Sequence, residues 1–82
     1  MKKKYQDTKT FMVRGEKVKL TIPTVKMMKA HQDEANKYII ANDTQSLNTL
    51  MLGVAAGKDF EWAENLPFTV FGELIAFVMG AE

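Results

Sequence analysis

The chain has 82 residues, no cysteine, and 11 basic against 10 acidic side chains, a net charge of +1. One domain of this size lies near the limit at which a single core suffices, and without cysteine it has no disulfide staple, thiol nucleophile or cysteine-based zinc site. No apolar run follows Lys2, Lys3 and Lys4 as in a secretory leader, and no stretch is long and apolar enough for a bilayer, so a soluble intracellular protein that gains stability by assembling with itself or a partner is the default expectation.

The charge is unevenly spread. Lys2, Lys3, Lys4, Lys9, Arg14, Lys17 and Lys19 face only Asp7 and Glu16 in the first quarter, a balance of +5; Lys26, Lys29, Lys37 and Lys58 face eight acids in the rest, a balance of −4. A basic end can steer toward an acidic partner or nucleic acid, and it also serves as a solubilising tail and hairpin.

Residues 1–7 are polar and are expected to fray. Residues 8–13 and 17–22 alternate in polarity around Arg14-Gly15-Glu16, which predicts a β-hairpin over 8–22. A type II′ turn at Gly15-Glu16 sets Val13 opposite Val18 and Phe11 opposite Leu20, all on one face with Ile22. Met12, Lys17 and Lys19 then point outward, where the lysines and Arg14 protect a two-stranded edge from aggregation or grip phosphate.

Pro23-Thr24 ends the strand, with Thr24 the expected N-cap of a first helix whose stripe is Val25, Met28, Gln32, Ala35 and Ile39, widened by Tyr38. Lys29, Asp33 and Lys37 form an i,i+4 ladder on its outer face. Asn42-Asp43 breaks the chain, and Asp43 or Thr44 caps a second helix expected to bury Leu47, Leu50, Met51 and Val54. Gly53 weakens that helix and Gly57 ends it. Asp59 caps one further turn over residues 60–65, and Leu66-Pro67 leads into the last helix. The expectation is one small α+β domain over residues 1–82: a hairpin, then three main helices in residues 24–80 with a short turn before the last.

That last helix, entered at Pro67 and stopped at Gly80, holds most of the information. Phe68, Val70, Phe71, Leu74, Ile75, Phe77, Val78 and Met79 cover an arc of roughly 200°, where one core needs only about 100°. The helix is thus either the central helix of the domain or half core and half docking surface. The expected division puts Phe71, Leu74 and Val78 at the centre, packed on Val18, Leu20 and the second helix. Phe68 and Met79 on one flank, and Val70 and Phe77 on the other, stay partly exposed as partner-binding residues. Gly72, Ala76 and Gly80 form a small-residue row beside Glu73, which is either the solvent side or an approach for another helix.

No constellation announces catalysis. His31 lacks a His-x3-His partner and reads as a solvated helix histidine, so no metal site is expected. Asp33-Glu34 and the Asp59, Glu61, Glu64 group read as caps and helix-dipole acids. Residues 53–59 place three residues between the glycines and Asp after Lys58, which fails the phosphate-loop pattern, and no cofactor is expected. Phe60 and Trp62 read as core, or as a hot spot if exposed. An enzyme is the least expected class.

The order of elements does resemble a known group. A basic hairpin feeds Leu20-Thr21-Ile22-Pro23-Thr24 and a polar helix; a second helix ends at Gly57; Leu66-Pro67-Phe68 introduces a closing apolar helix with Phe71. Over residues 11–80 this is similar to the small tail assembly chaperones of tailed bacteriophages, including those of P2-like and Mu-like phages. The chain departs from them at Thr69, where the family often has an acid. The resemblance implies a non-enzymatic protein in the host cytoplasm that binds the tape-measure protein and helps recruit tail-tube subunits. It also implies that an extended frameshifted form can exist, of which a chain ending at Ala81-Glu82 is the short one. Two other classes remain open: a small homo-oligomeric structural protein using the closing helix as subunit interface, and a nucleic-acid-binding module using the hairpin, Lys2, Lys3, Lys4 and Tyr5. The hairpin lacks the Asn, Gln and Arg cluster of a base reader, so no specific nucleic acid is expected, and no membrane.

Overall fold

A computed structural model describes residues 7–80. The expected frayed tail, the cations Lys2, Lys3 and Lys4, Tyr5 and the terminal Ala81-Glu82 lie outside the described residues. The architecture is α+β: strands β1 (Thr8–Val13) and β2 (Glu16–Thr21), then helices α1 (Val25–Lys29), α2 (Gln32–Ile40), α3 (Thr44–Ala56), α4 (Phe60–Glu64) and α5 (Phe68–Val78). Its thickness of 19 Å is that of two layers of secondary structure.

The hairpin forms as the alternation predicts, but its register differs. Val13 lies opposite Glu16, Phe11 opposite Val18 and Lys9 opposite Leu20, so the turn is Arg14-Gly15 rather than Gly15-Glu16. Both central residues are left-handed, Arg14 at φ 54° and Gly15 at φ 77°. That is the type I′ arrangement, whose twist matches the strands. A left-handed arginine costs roughly 1–2 kcal/mol. Here the Arg14 guanidinium donates to the Asn65 carbonyl and ties the turn to the loop between α4 and α5. The shift is two residues, so every side chain keeps its face. Val13, Val18 and Leu20 are buried, Phe11 and Ile22 are half-buried, and Met12, Lys17 and Lys19 are exposed.

The expected first helix is two helices. Thr24 caps α1 as predicted, accepting from the Met27 amide at 3.1 Å. After Lys29 the chain leaves the helix, and the His31 amide donates back to Met28 in a tight turn. His31 is therefore a junction residue at the N-cap of α2, half-buried and without a side-chain cap bond, not a residue on a continuous helix. The supposed stripe is not a core stripe: neither α1 nor α2 contains a buried residue. The signal was present in the charges. Lys26 and Lys29 suit a helix C-terminus, and Asp33 and Glu34 suit the N-terminus that follows.

The central helix is α3, not α5. It meets α1, α2, α4, α5 and β2, and it buries Thr49, Leu50, Leu52, Gly53 and Ala55. Of the expected stripe only Leu50 is buried; Leu47, Met51 and Val54 are half-buried. Small residues bring the neighbours close, because a Cβ on Gly53 would lie 3.1 Å from the Asp59 carbonyl oxygen. Gly57 closes α3 at φ 71° in a Schellman motif, with Lys58 N–H donating to Gly53 and Gly57 N–H to Val54. Asp43 and Asp59 cap α3 and α4 as expected, through the Ser46 and Trp62 amides.

One apolar cluster joins the hairpin (Val13, Val18, Leu20) to Leu52 and Ala55 of α3, Ala63, Leu66, and Phe71, Leu74, Phe77 and Val78 of α5. Leu20, Leu52 and Leu74 are the largest side chains sealed from solvent.

Candidate docking surface

Helix α5 presents two faces. Phe71, Leu74, Phe77 and Val78 are buried, a sector of about 120° at the helical 100° per residue. The expected centre of the arc, Phe71, Leu74 and Val78, is thus core and shares its cluster with Val18, Leu20 and Leu52.

The four expected partner-binding residues separate. Phe68 is 85% exposed and Met79 is 56% exposed. Val70 is half-buried against the core. Phe77 is only 4% exposed, which overturns its place on a free flank. Its ring meets Phe11 edge-to-face, with centroids 5.7 Å apart, so the hairpin covers a sector that the helical wheel leaves open. Phe68 and Met79 lie within about 20° of each other on the wheel, and Gly72 and half-buried Ile75 come between them along the helix axis. Of the small-residue row, Gly72 and Gly80 are exposed beside Glu73 and Thr69 while Ala76 is half-buried, and nothing lies within 4 Å of a Cβ built on Gly72.

Phe68 stands at the rim of a cleft of about 180 Å³ between α3, α4 and the start of α5, lined by the apolar Phe60, Ala63, Leu66 and Phe71 and by the polar Gln45, Ser46, Thr49 and Glu64. The Phe60 ring in turn lies against Tyr38 of α2, centroids 6.0 Å apart. Tyr38 and Ile39 line a further hollow with Leu47 and Asp43. A seam of aromatic and aliphatic side chains therefore runs from α5 across α4 to α2. The expectation that Phe60 and Trp62 are core holds in part, since both are half-buried; Trp62 packs on the cluster and carries the Lys58 ammonium 5.9 Å from its ring centroid.

The residues that sequence reasoning missed lie on the arm formed by α1 and α2. Val25 is 87% exposed, Ile40 is 85% exposed and Ile39 is exposed as well. A groove of about 360 Å³ runs between the two helices, lined by Pro23, Val25, Met28, Lys29, Gln32 and Ala35 with Thr24. Its sequence signal was the predicted stripe itself, which has the right period but turns away from the core.

Electrostatics along this surface are mild. Asp43 sits below the ordinary carboxylate range because the Ser46 hydroxyl and then the Ser46 amide donate to it, at 2.7 and 3.1 Å. Tyr38 is pushed up by desolvation and then by Glu34, whose carboxylate accepts from its hydroxyl at 3.4 Å. Among the described residues no three His, Asp or Glu side chains gather in a way that would hold a metal ion, and no helix is long and apolar enough to cross a membrane. No protein-family model matches the sequence, and no curated protein or solved structure matches it.

Proposed function

We propose that this chain is a protein-docking module, a phage tail assembly chaperone that holds helices of a tape-measure protein in the host cytoplasm and aids tail-tube assembly. The supporting observation is Phe68, a nearly bare aromatic at the rim of a cleft, continued by the seam through Phe60 and Tyr38. Large apolar side chains displayed in this way on a small protein mark a contact surface. A helix laid in such a groove anchors through residues at i, i+3, i+4 and i+7, which long helical partners supply repeatedly. The sequence resemblance supplies the identity of that partner. Arg14, the one planar cation of the hairpin, is engaged by the Asn65 carbonyl, which weighs against base reading there.

The test is co-expression with tape-measure and tail-tube candidates from the same genome, followed by pull-down and sizing. The wild-type chain is expected to retain the tape-measure fragment. Phe68→Ser is expected to weaken retention by about tenfold or more, as loss of an aromatic anchor does, with an unchanged circular dichroism spectrum. Retention of none of the candidates, or retention indifferent to Phe68→Ser, overturns this reading.

A further inference from the structure

We propose that the outer edge of β1 pairs with the same edge of a second copy of this chain, making a two-fold, four-stranded antiparallel sheet. The argument begins with hydrogen-bond parity. The Ile22 amide donates to the Asp7 carbonyl at 2.8 Å, which makes Asp7 and Ile22 a hydrogen-bonded pair. Such pairs alternate along an antiparallel ladder, so Lys9–Leu20, Phe11–Val18 and Val13–Glu16 are also hydrogen-bonded. The backbone groups of Thr8, Thr10 and Met12 therefore point away from β2, and those of Lys17, Lys19 and Thr21 point away from β1. Within the described residues the sheet has only these two strands, and no other hydrogen bond reaches those six backbones.

The two edges are not equivalent. The side chains on the outer face of β2 include Lys17 and Lys19; those of β1 are Thr8, Thr10 and Met12, all uncharged. Pairing β2 with its own copy about Lys17, Val18 or Lys19 sets cation against cation, which is destabilising. Pairing β1 with its own copy about Thr10 sets Thr10 against Thr10 and Thr8 against Met12, with no charge opposed on that face. On the inner face Lys9 comes beside Phe11 of the second copy; its ammonium already lies 5.2 Å from the centroid of its own Phe11 ring. Cross-pairing of β1 with β2 is heterologous and open-ended, whereas the β1 pair closes. Edge lysines thus guard one edge and leave the other for a single, closed use. The gain is physical, because pairing gives the outward amides and carbonyls of Thr8, Thr10 and Met12 hydrogen-bond partners on the second copy.

The experiment combines light-scattering sizing with backbone hydrogen exchange on the full chain, from micromolar to millimolar concentration. A dimer is expected at the upper end, with the amides of Thr8, Thr10 and Met12 gaining protection as it forms. Thr10→Glu separates pairing from folding. Within the hairpin the new carboxylate lies across from Lys19 and supports the strands, but at the two-fold axis it meets its own copy. Dissociation should become about fivefold easier, with thermal stability of the monomer kept or raised. Thr10→Pro removes two inter-copy amide donors and no ladder donor, and should weaken the dimer about thirtyfold. A monomer at every concentration overturns the proposal. So does a dimer indifferent to both variants, new protection at Lys17, Lys19 and Thr21 or on the helices instead, or mass-spectrometric evidence that a strand of another protein occupies the edge.

Discussion

The hairpin with α3 and α5 on one side, and the arm of α1 and α2 on the other, treat their apolar residues differently. Leu20, Leu52, Leu74 and Phe77 are sealed in one cluster, while Val25, Ile39 and Ile40 lie in solvent. The difference is coverage as well as composition, since α2 carries Gln32, Asp33, Glu34, Asn36 and Lys37 while α5 has Glu73 as its single charge. Helix α3 is enclosed by α2, α4, α5 and β2, so even Thr49 and Gly53 are buried there. The arm is held from one side, through α3 and the Tyr38–Phe60 contact. Stability should therefore reside in the first region, leaving the second to contribute surface.

The largest effects should come from charge placed in the enclosed region. Leu74→Glu and Phe77→Glu should both abolish the folded circular dichroism spectrum, since a buried carboxylate without a partner costs several kcal/mol or more. Ile40→Gln on the arm should change unfolding free energy by less than about 0.5 kcal/mol. Chemical denaturation of the three variants tests the contrast directly. An arm variant as damaging as Leu74→Glu would mean that the two regions fold as one.

A smaller effect is expected at Gly53, where α3 touches the loop before α4. Alanine there gains helix propensity but drives a methyl to 3.1 Å from backbone held by the Schellman bonds. The contact should outweigh the propensity, for a net loss of about 1 kcal/mol in denaturant unfolding. Gly72→Ala, which meets open space, should stabilise by a similar or smaller amount.

The smallest effect concerns pH and the joint between the regions. Asp43, at the turn from α2 into α3, has a folded pKa below its unfolded value through its bonds from Ser46. Its contribution is present above the unfolded pKa and is lost as pH falls through the folded one. Asp43→Asn keeps a cap acceptor without the titration, so the melting temperature of that variant should fall less steeply at acid pH than that of the wild type. Identical acid limbs would place the acid sensitivity elsewhere.

Local chemistry was written plainly in the chain. Alternation at Phe11, Val13, Val18 and Leu20 determined the hairpin and its faces, because a period of two has no other use. Thr24, Asp43 and Asp59 determined three helix starts, and Gly57 and Gly80 two ends, because each meets a backbone need that few residues satisfy. Leu74, Phe71 and Val78 as the centre of the closing helix followed from the wheel alone. Tertiary structure decided the rest. Arg14 joins Gly15 in a left-handed type I′ turn and donates to the Asn65 carbonyl, in a register two residues from the one expected from Gly15. Phe77 is core and Phe68 is surface because Phe11 covers one and nothing within the described residues covers the other. The stripe from Val25 to Ile39 has helical period, yet period states only which side chains share a face. What that face meets depends on segments far along the chain.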